Sequence, residues 1–340
     1  MVQVTNRIEV PQAERRFPTS RVVIGAMLIA GLEAMIVARW LTGTGYQPAP
    51  FGLTDPGRLT AVGLPIAQFV HEMAGVAVVG LLFLRCFMVS PQADSVHRHL
   101  NGVATRWAWL WVGSTLLWIV LTISELTGLP VIELGSHLDV VGIVLGVNRI
   151  LAELATLWVA LAIALFAGRL TGRVGTGAAL VLATAALLPS SLSGHAGHHN
   201  YTETAIVSLG VHLVAAAIWV GGLLALVVHL RGFPDQLRLA VPRFSAIALC
   251  CVVAVGISGL VESVVLLDGW AALWETERGH LVIAKAVALA VLVVIGFWHR
   301  QRTVGPAAAG RLLPLLQLAA GELLIMGATI GIAVVLSTTA

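Results

Sequence analysis

Of 340 residues, 58% are hydrophobic and 11% charged, and the mean hydropathy is +0.93. A soluble domain carries roughly 25% charged residues, so this composition excludes one and points to a chain that lives in lipid. The net charge of +3 comes from a few localised arginines and implies no nucleic-acid partner.

Apolar runs of about 20 residues match the hydrocarbon core of a bilayer. The first, 22–41, follows a leader with Arg7, Arg15, Arg16 and Arg21. The length of that leader, and Glu33 inside the run, predict an uncleaved span and not a secretory signal. Pro48, Pro50 and Pro56 make 42–62 an irregular connection. The second run, 63–84, holds His71 and Glu72; the connection 85–106 carries His97 and His99; the third run is 107–127. Between 128 and 148, Pro130 and a mild amphipathic pattern predict a short interfacial helix. Runs at 149–168, 174–192, 204–230, 243–265, 281–298 and 312–336 bring the total to about nine. None shows the alternation of barrel strands, and backbone groups in lipid must be satisfied within the segment. The fold class is therefore all-α, a polytopic helical membrane protein.

Basic residues give an orientation. Fifteen of the 20, among them Arg85, Arg106, Arg169, Arg173, Arg231 and Arg243, fall in the leader and in alternate connections. Asp55, Glu133, Asp139, Glu203, Asp268, Glu275 and Glu277 fall in the others. By the positive-inside rule the N-terminus is cytoplasmic and the C-terminus extracytoplasmic. Cys86, Cys250 and Cys251 form no C-x-x-C and read as packing residues.

An internal repeat is visible. His71-x8-Gly80-Leu81-Leu82 matches His212-x8-Gly221-Gly222-Leu223. Arg106 and Glu125 bracket the third run as Arg243 and Glu262 bracket the seventh, and Glu153 and Lys285 take equivalent depths in the fourth and eighth. After a cytoplasmic segment, 1–20, this pattern predicts two membrane units, 21–170 and 171–338, each with four helices entering in the same direction, and a ninth helix appended.

Ionisable groups within spans are costly and call for a reason. Lys285 is the only lysine, and its predicted partner across the pseudo-axis is Glu153. His71 with Glu72, and His212 at similar depth, could converge on one ligand; each alone also reads as a hydrogen-bonded interior residue. Trp219, two turns below His212, could wall that site. Outside the membrane, His195, His198 and His199 have i, i+3, i+4 spacing, suited to a shared metal if helical and equally to solvated side chains. Imidazole nitrogen suits Cu(II), Zn(II) or Ni(II). The six methionines form no M-x-M or M-x-x-M ladder for Cu(I).

The C-terminal half resembles the copper resistance D family of bacterial inner-membrane proteins. The resemblance rests on Gly194-His195-Ala196, His212 with Ile218-Trp219-Val220-Gly221-Gly222, Arg243-Phe244-Ser245, Ser258-Gly259, Thr276 with Gly279, Lys285, Arg300 and Glu322. It spans about 190–338, and the sequence departs from the family pattern at Arg278 and His299. It implies copper as the ligand, in an unspecified oxidation state, moved across or supplied at the cytoplasmic membrane. An extracytoplasmic copper chaperone or a copper enzyme is the implied partner besides the bilayer.

Three readings follow. In the first, outer histidines capture copper and pass it to His71, Glu72 and His212, with Lys285 and Glu153 gating. In the second, His71 and His212 ligate haem in a redox protein; in the third, the chain is a non-catalytic assembly factor for copper enzymes. No nucleotide-binding loop or phosphorylatable aspartate motif occurs, so energy would come from gradients or a partner; no catalytic residue is assigned, and the chain reads as a non-enzyme.

Overall fold

The computed structural model describes residues 18–46, 54–137, 142, 143, 146–193, 203–266, 271–302 and 313–338. Among them run nine long helices: α1 Ser20–Leu41, α2 Gly57–Phe83, α3 Asp94–Thr127, α4 Asn148–Phe166, α5 Gly172–Ser193, α6 Glu203–Ala225, α7 Pro234–Leu266, α8 Glu277–Arg302 and α9 Leu313–Thr338. Eight are long and apolar enough to cross a membrane, and the apolar part of α5, Gly172–Leu188, is shorter. The protein is an all-α polytopic membrane protein.

Several helices begin earlier than hydropathy predicts. α3 starts at Asp94, so most of the connection expected over 85–106 is helical, and α7 starts at Pro234 where 243 was expected. The polar extensions are helical without being apolar, which hydropathy cannot register. Asp94 and Asp235 in the first turns favour those starts by answering the exposed N–H groups. After Pro130 the described residues form two short helical turns, Val131–Glu133 and Leu134–His137.

The repeat has a structural signature. α2 ends in a π turn, Leu84–Met88, and α6 ends in another, Leu226–Leu230; each leads through a tight turn into a helix of 34 or 33 residues. α2 and α6 cross at the two glycines of the matched motifs. A Cβ on Gly80 would run into the backbone of Gly221, and one on Gly221 into the carbonyl oxygen of Val76. Such small residues let helix backbones touch where lipid offers no hydrophobic drive for association. α2 is the central helix, packed against α3, α5 and α6.

Beyond that core the halves differ. α4 lies directly against α5, whereas α1 and α8 each lie against α9. The α1–α9 seam is again glycine: Gly331 meets the carbonyl of Gly31, and Gly327 meets that of Met27. The arginine-bearing turns share one end of the bundle. Arg85 donates to the carbonyls of Leu170 (2.8 Å) and Gly172 (3.3 Å), Ser90 N–H to Gln236 (2.9 Å), and Arg231 to Pro18 O (2.6 Å).

Candidate functional site

His71 on α2 is fully buried. Its Nδ1 lies 2.9 Å from Thr115 Oγ1 on α3, while Thr115 donates its own proton to the carbonyl of Trp111 one turn back, at 2.7 Å. A hydroxyl has one proton to give, so Thr115 accepts and Nδ1 carries the imidazole hydrogen. The lone pair of a neutral ring is then on Nε2, which is buried and without a partner. The ring is held by Trp118 at 4.7 Å and Trp111 at 6.0 Å, both edge-on, and Arg149 lies over Trp118 at 5.6 Å.

His212 repeats this arrangement in the other half. Its Nδ1 lies 3.1 Å from Ser258 Oγ on α7, and Ser258 donates to Ala254 O at 2.6 Å. The same accounting puts hydrogen on Nδ1 and the lone pair on Nε2. The ring lies close to α7 at Gly259, where a Cβ would make ordinary van der Waals contact with it at 3.7 Å. Fixing one ring nitrogen by a hydrogen bond so that the other faces a ligand is the usual support of a metal-binding histidine.

Charged groups surround the pair on the side away from the arginine-rich end. Glu72 accepts from Gln68 Nε2 at 3.0 Å, and Gln68 also reaches Ser337 on α9 at 3.2 Å. Lys285 on α8 stands within electrostatic range of Glu72 and of Glu262 on α7. Glu262 Oε1 is 3.9 Å from His212 Nδ1. Glu153 is only 1% exposed, neither oxygen has a hydrogen-bond partner, and its charged neighbours are Arg149 and Glu72. The ion pairs among the described residues do not include Glu153 with Lys285; the acidic groups within electrostatic range of the lysine are Glu262 and Glu72. Matched depth in two helices does not set their direction, and α8 leans on α9.

His195, His198 and His199 fall outside the described residues. Trp219 is buried toward the arginine-rich end, where with Phe244 and Glu322 it lines a mainly apolar cavity of about 370 Å³ between α6, α7, α8 and α9. Among the described residues no group of three or more His, Cys, Asp or Glu side chains is placed to hold a metal ion. The matched tautomers of His71 and His212 are the feature that the two halves share. Thr115 and Ser258, on which that feature depends, were not among the predicted site residues. Their signal was faint: one hydroxyl 44 and the other 46 residues after its histidine.

Comparison with known proteins bears on this geometry. Residues 238–336 match the family model "Copper resistance protein D", and residues 59–205 match "Copper resistance protein D-like, N-terminal domain". The chain belongs to the copper resistance D family. The match takes in the first half as well as the C-terminal region, so His71, Glu72, Thr115 and Glu153 fall in one matched segment and Ser258, Glu262 and Lys285 in the other. His212 and Trp219 lie between the two. The "Copper transport protein CutJ" of Bacillus subtilis (strain 168) is 31% identical over 129 residues, 35% of this chain and 24% of that relative. The matched region thus spans about a quarter of that relative's length. No solved structure matches the chain. This is a copper-related, multi-pass membrane protein.

Proposed function

We propose that this copper resistance D family protein binds copper within the bilayer and moves it across, or supplies it at, the bacterial cytoplasmic membrane. One observation carries the reading: two histidines, one from each half, each with Nδ1 held by a hydroxyl on the next helix, so that the lone pair of the neutral ring falls on Nε2. Copper is the cargo. Lys285 serves as resident countercharge to Glu72 and Glu262, so the acidic groups are neutralised when no cation is present. An arriving ion weakens the need for the lysine there, which makes Lys285 the gate and Glu153 part of the surrounding field. His195, His198 and His199 supply ions from outside, with the N-terminus cytoplasmic. Transport needs no catalytic residue; an extracytoplasmic chaperone or a copper enzyme is the partner.

The test is elemental analysis of protein purified without chelators. Copper should accompany the wild type and be lost from a His71→Ala/His212→Ala variant, while a His195/His198/His199 triple alanine variant loads more slowly. Unchanged copper in the double variant overturns the site, and a Soret band in the wild type replaces it with a haem protein. Reporter fusions at each terminus test the orientation; a cytoplasmic C-terminus contradicts it.

A further inference from the structure

Two more histidines meet at the arginine-rich end. His229 is the fourth residue of the π turn Leu226–Leu230 at the end of α6, and His99 lies in the first turns of α3. Their ring centroids are 6.2 Å apart, with the planes at 53°. His229 Nε2 is buried and has no hydrogen-bond partner, and Phe233 packs against His99 at 5.4 Å. The fourth residue of the matching π turn, Leu84–Met88, is Phe87, packed on Phe83 at 5.4 Å. The turn itself therefore does not require histidine.

The spacing is compatible with a shared ion. An imidazole nitrogen binds a first-row ion at about 2.0–2.1 Å and lies about 1.1 Å from its ring centre, so two rings holding one ion in line stand about 6.3 Å apart. At a tetrahedral angle the same bonds bring the centroids to about 5.1 Å. The observed 6.2 Å is a separation at which one nitrogen of each ring can reach a shared first-row ion.

We propose that His99 and His229 form a second copper site, where the ion leaves the membrane. The inference rests on the copper reading above. Like the inner pair, this one takes one histidine from each half. His212 and His229 are seventeen residues apart on one continuous helical path, about 25 Å at 1.5 Å per residue, close to the roughly 30 Å hydrocarbon thickness. Arg106 is within electrostatic range of both rings and Arg231 of His229. Their positive field loosens the hold on a cation, as a release site requires.

The full-length protein, purified in detergent, is titrated anaerobically with Cu(I) alone against a chromophoric chelator. A His99→Ala/His229→Ala variant should bind one equivalent fewer than wild type, with the lost copper showing two nitrogen neighbours by X-ray absorption. His229→Phe, which copies the residue at Phe87, should lose the same equivalent while keeping the wild-type thermal midpoint. If these variants keep every equivalent while His71→Ala/His212→Ala loses one, the exit site is wrong and the copper reading stands. If the wild type takes up neither Cu(I) nor, in a parallel aerobic titration, Cu(II), both fall.

Discussion

Thr115→Val isolates the tautomer lock. Valine keeps the shape of threonine but removes the oxygen that accepts the His71 Nδ1 hydrogen at 2.9 Å, in a position with no solvent exposure. Two responses are open to the ring. It can keep hydrogen on Nδ1 without a partner, which costs about 1–3 kcal/mol of stability for a buried polar group. It can instead move the hydrogen to Nε2, which blocks the lone pair that faces the ligand. Loss of such a supporting partner typically weakens metal binding about 10–100-fold, equivalent to about 1.4–2.7 kcal/mol. Chelator competition on the purified variant should show a copper affinity lower by that factor, and Thr115→Ser should restore it. Ser258→Ala should act in the same way through His212. Wild-type copper affinity in Thr115→Val, with only the thermal midpoint lowered, would refute the reasoning and leave Thr115 a packing residue.

Gly80→Ala should lower the thermal midpoint by forcing α2 and α6 apart, an overpacking cost of about 1–3 kcal/mol, whereas Gly102→Ala, which meets nothing within 4 Å, should not. Lys285→Met should reduce the folded yield by leaving Glu72 and Glu262 without their shared countercharge; a second change, Glu262→Gln, should recover most of it, and failure to recover means the lysine acts elsewhere. Glu153→Gln should leave the midpoint unchanged or higher, because neither carboxylate oxygen has a hydrogen bond to lose. A large drop in that variant would show that the charge itself holds α4 in place.

Much of this architecture is legible in the chain because lipid imposes a simple rule on helix length and content. The nine apolar runs mark the helices, and the shared His-x8-Gly pattern marks the crossing, since glycine is what two touching backbones need. Helix starts such as Asp94 were hidden because the first turns of α3 are polar in sequence and have no hydropathy signal. Lys285 was misdirected for a different reason. Position in a repeat gives depth in the membrane but not direction around the helix axis, and α9 alters the setting of α8 without a counterpart in the first half. The hydroxyls of Thr115 and Ser258 were unreadable because a threonine or serine in an apolar helix usually bonds its own carbonyl four residues back, as both also do here.

The central claim is that His71 and His212 act together on one copper ion within the bilayer. Labelled copper flux into proteoliposomes, measured for each single alanine variant and for the double, tests it most directly. If the two residues form one site, each single variant loses flux almost as completely as the double. Flux near the wild-type level in either single variant would contradict the account.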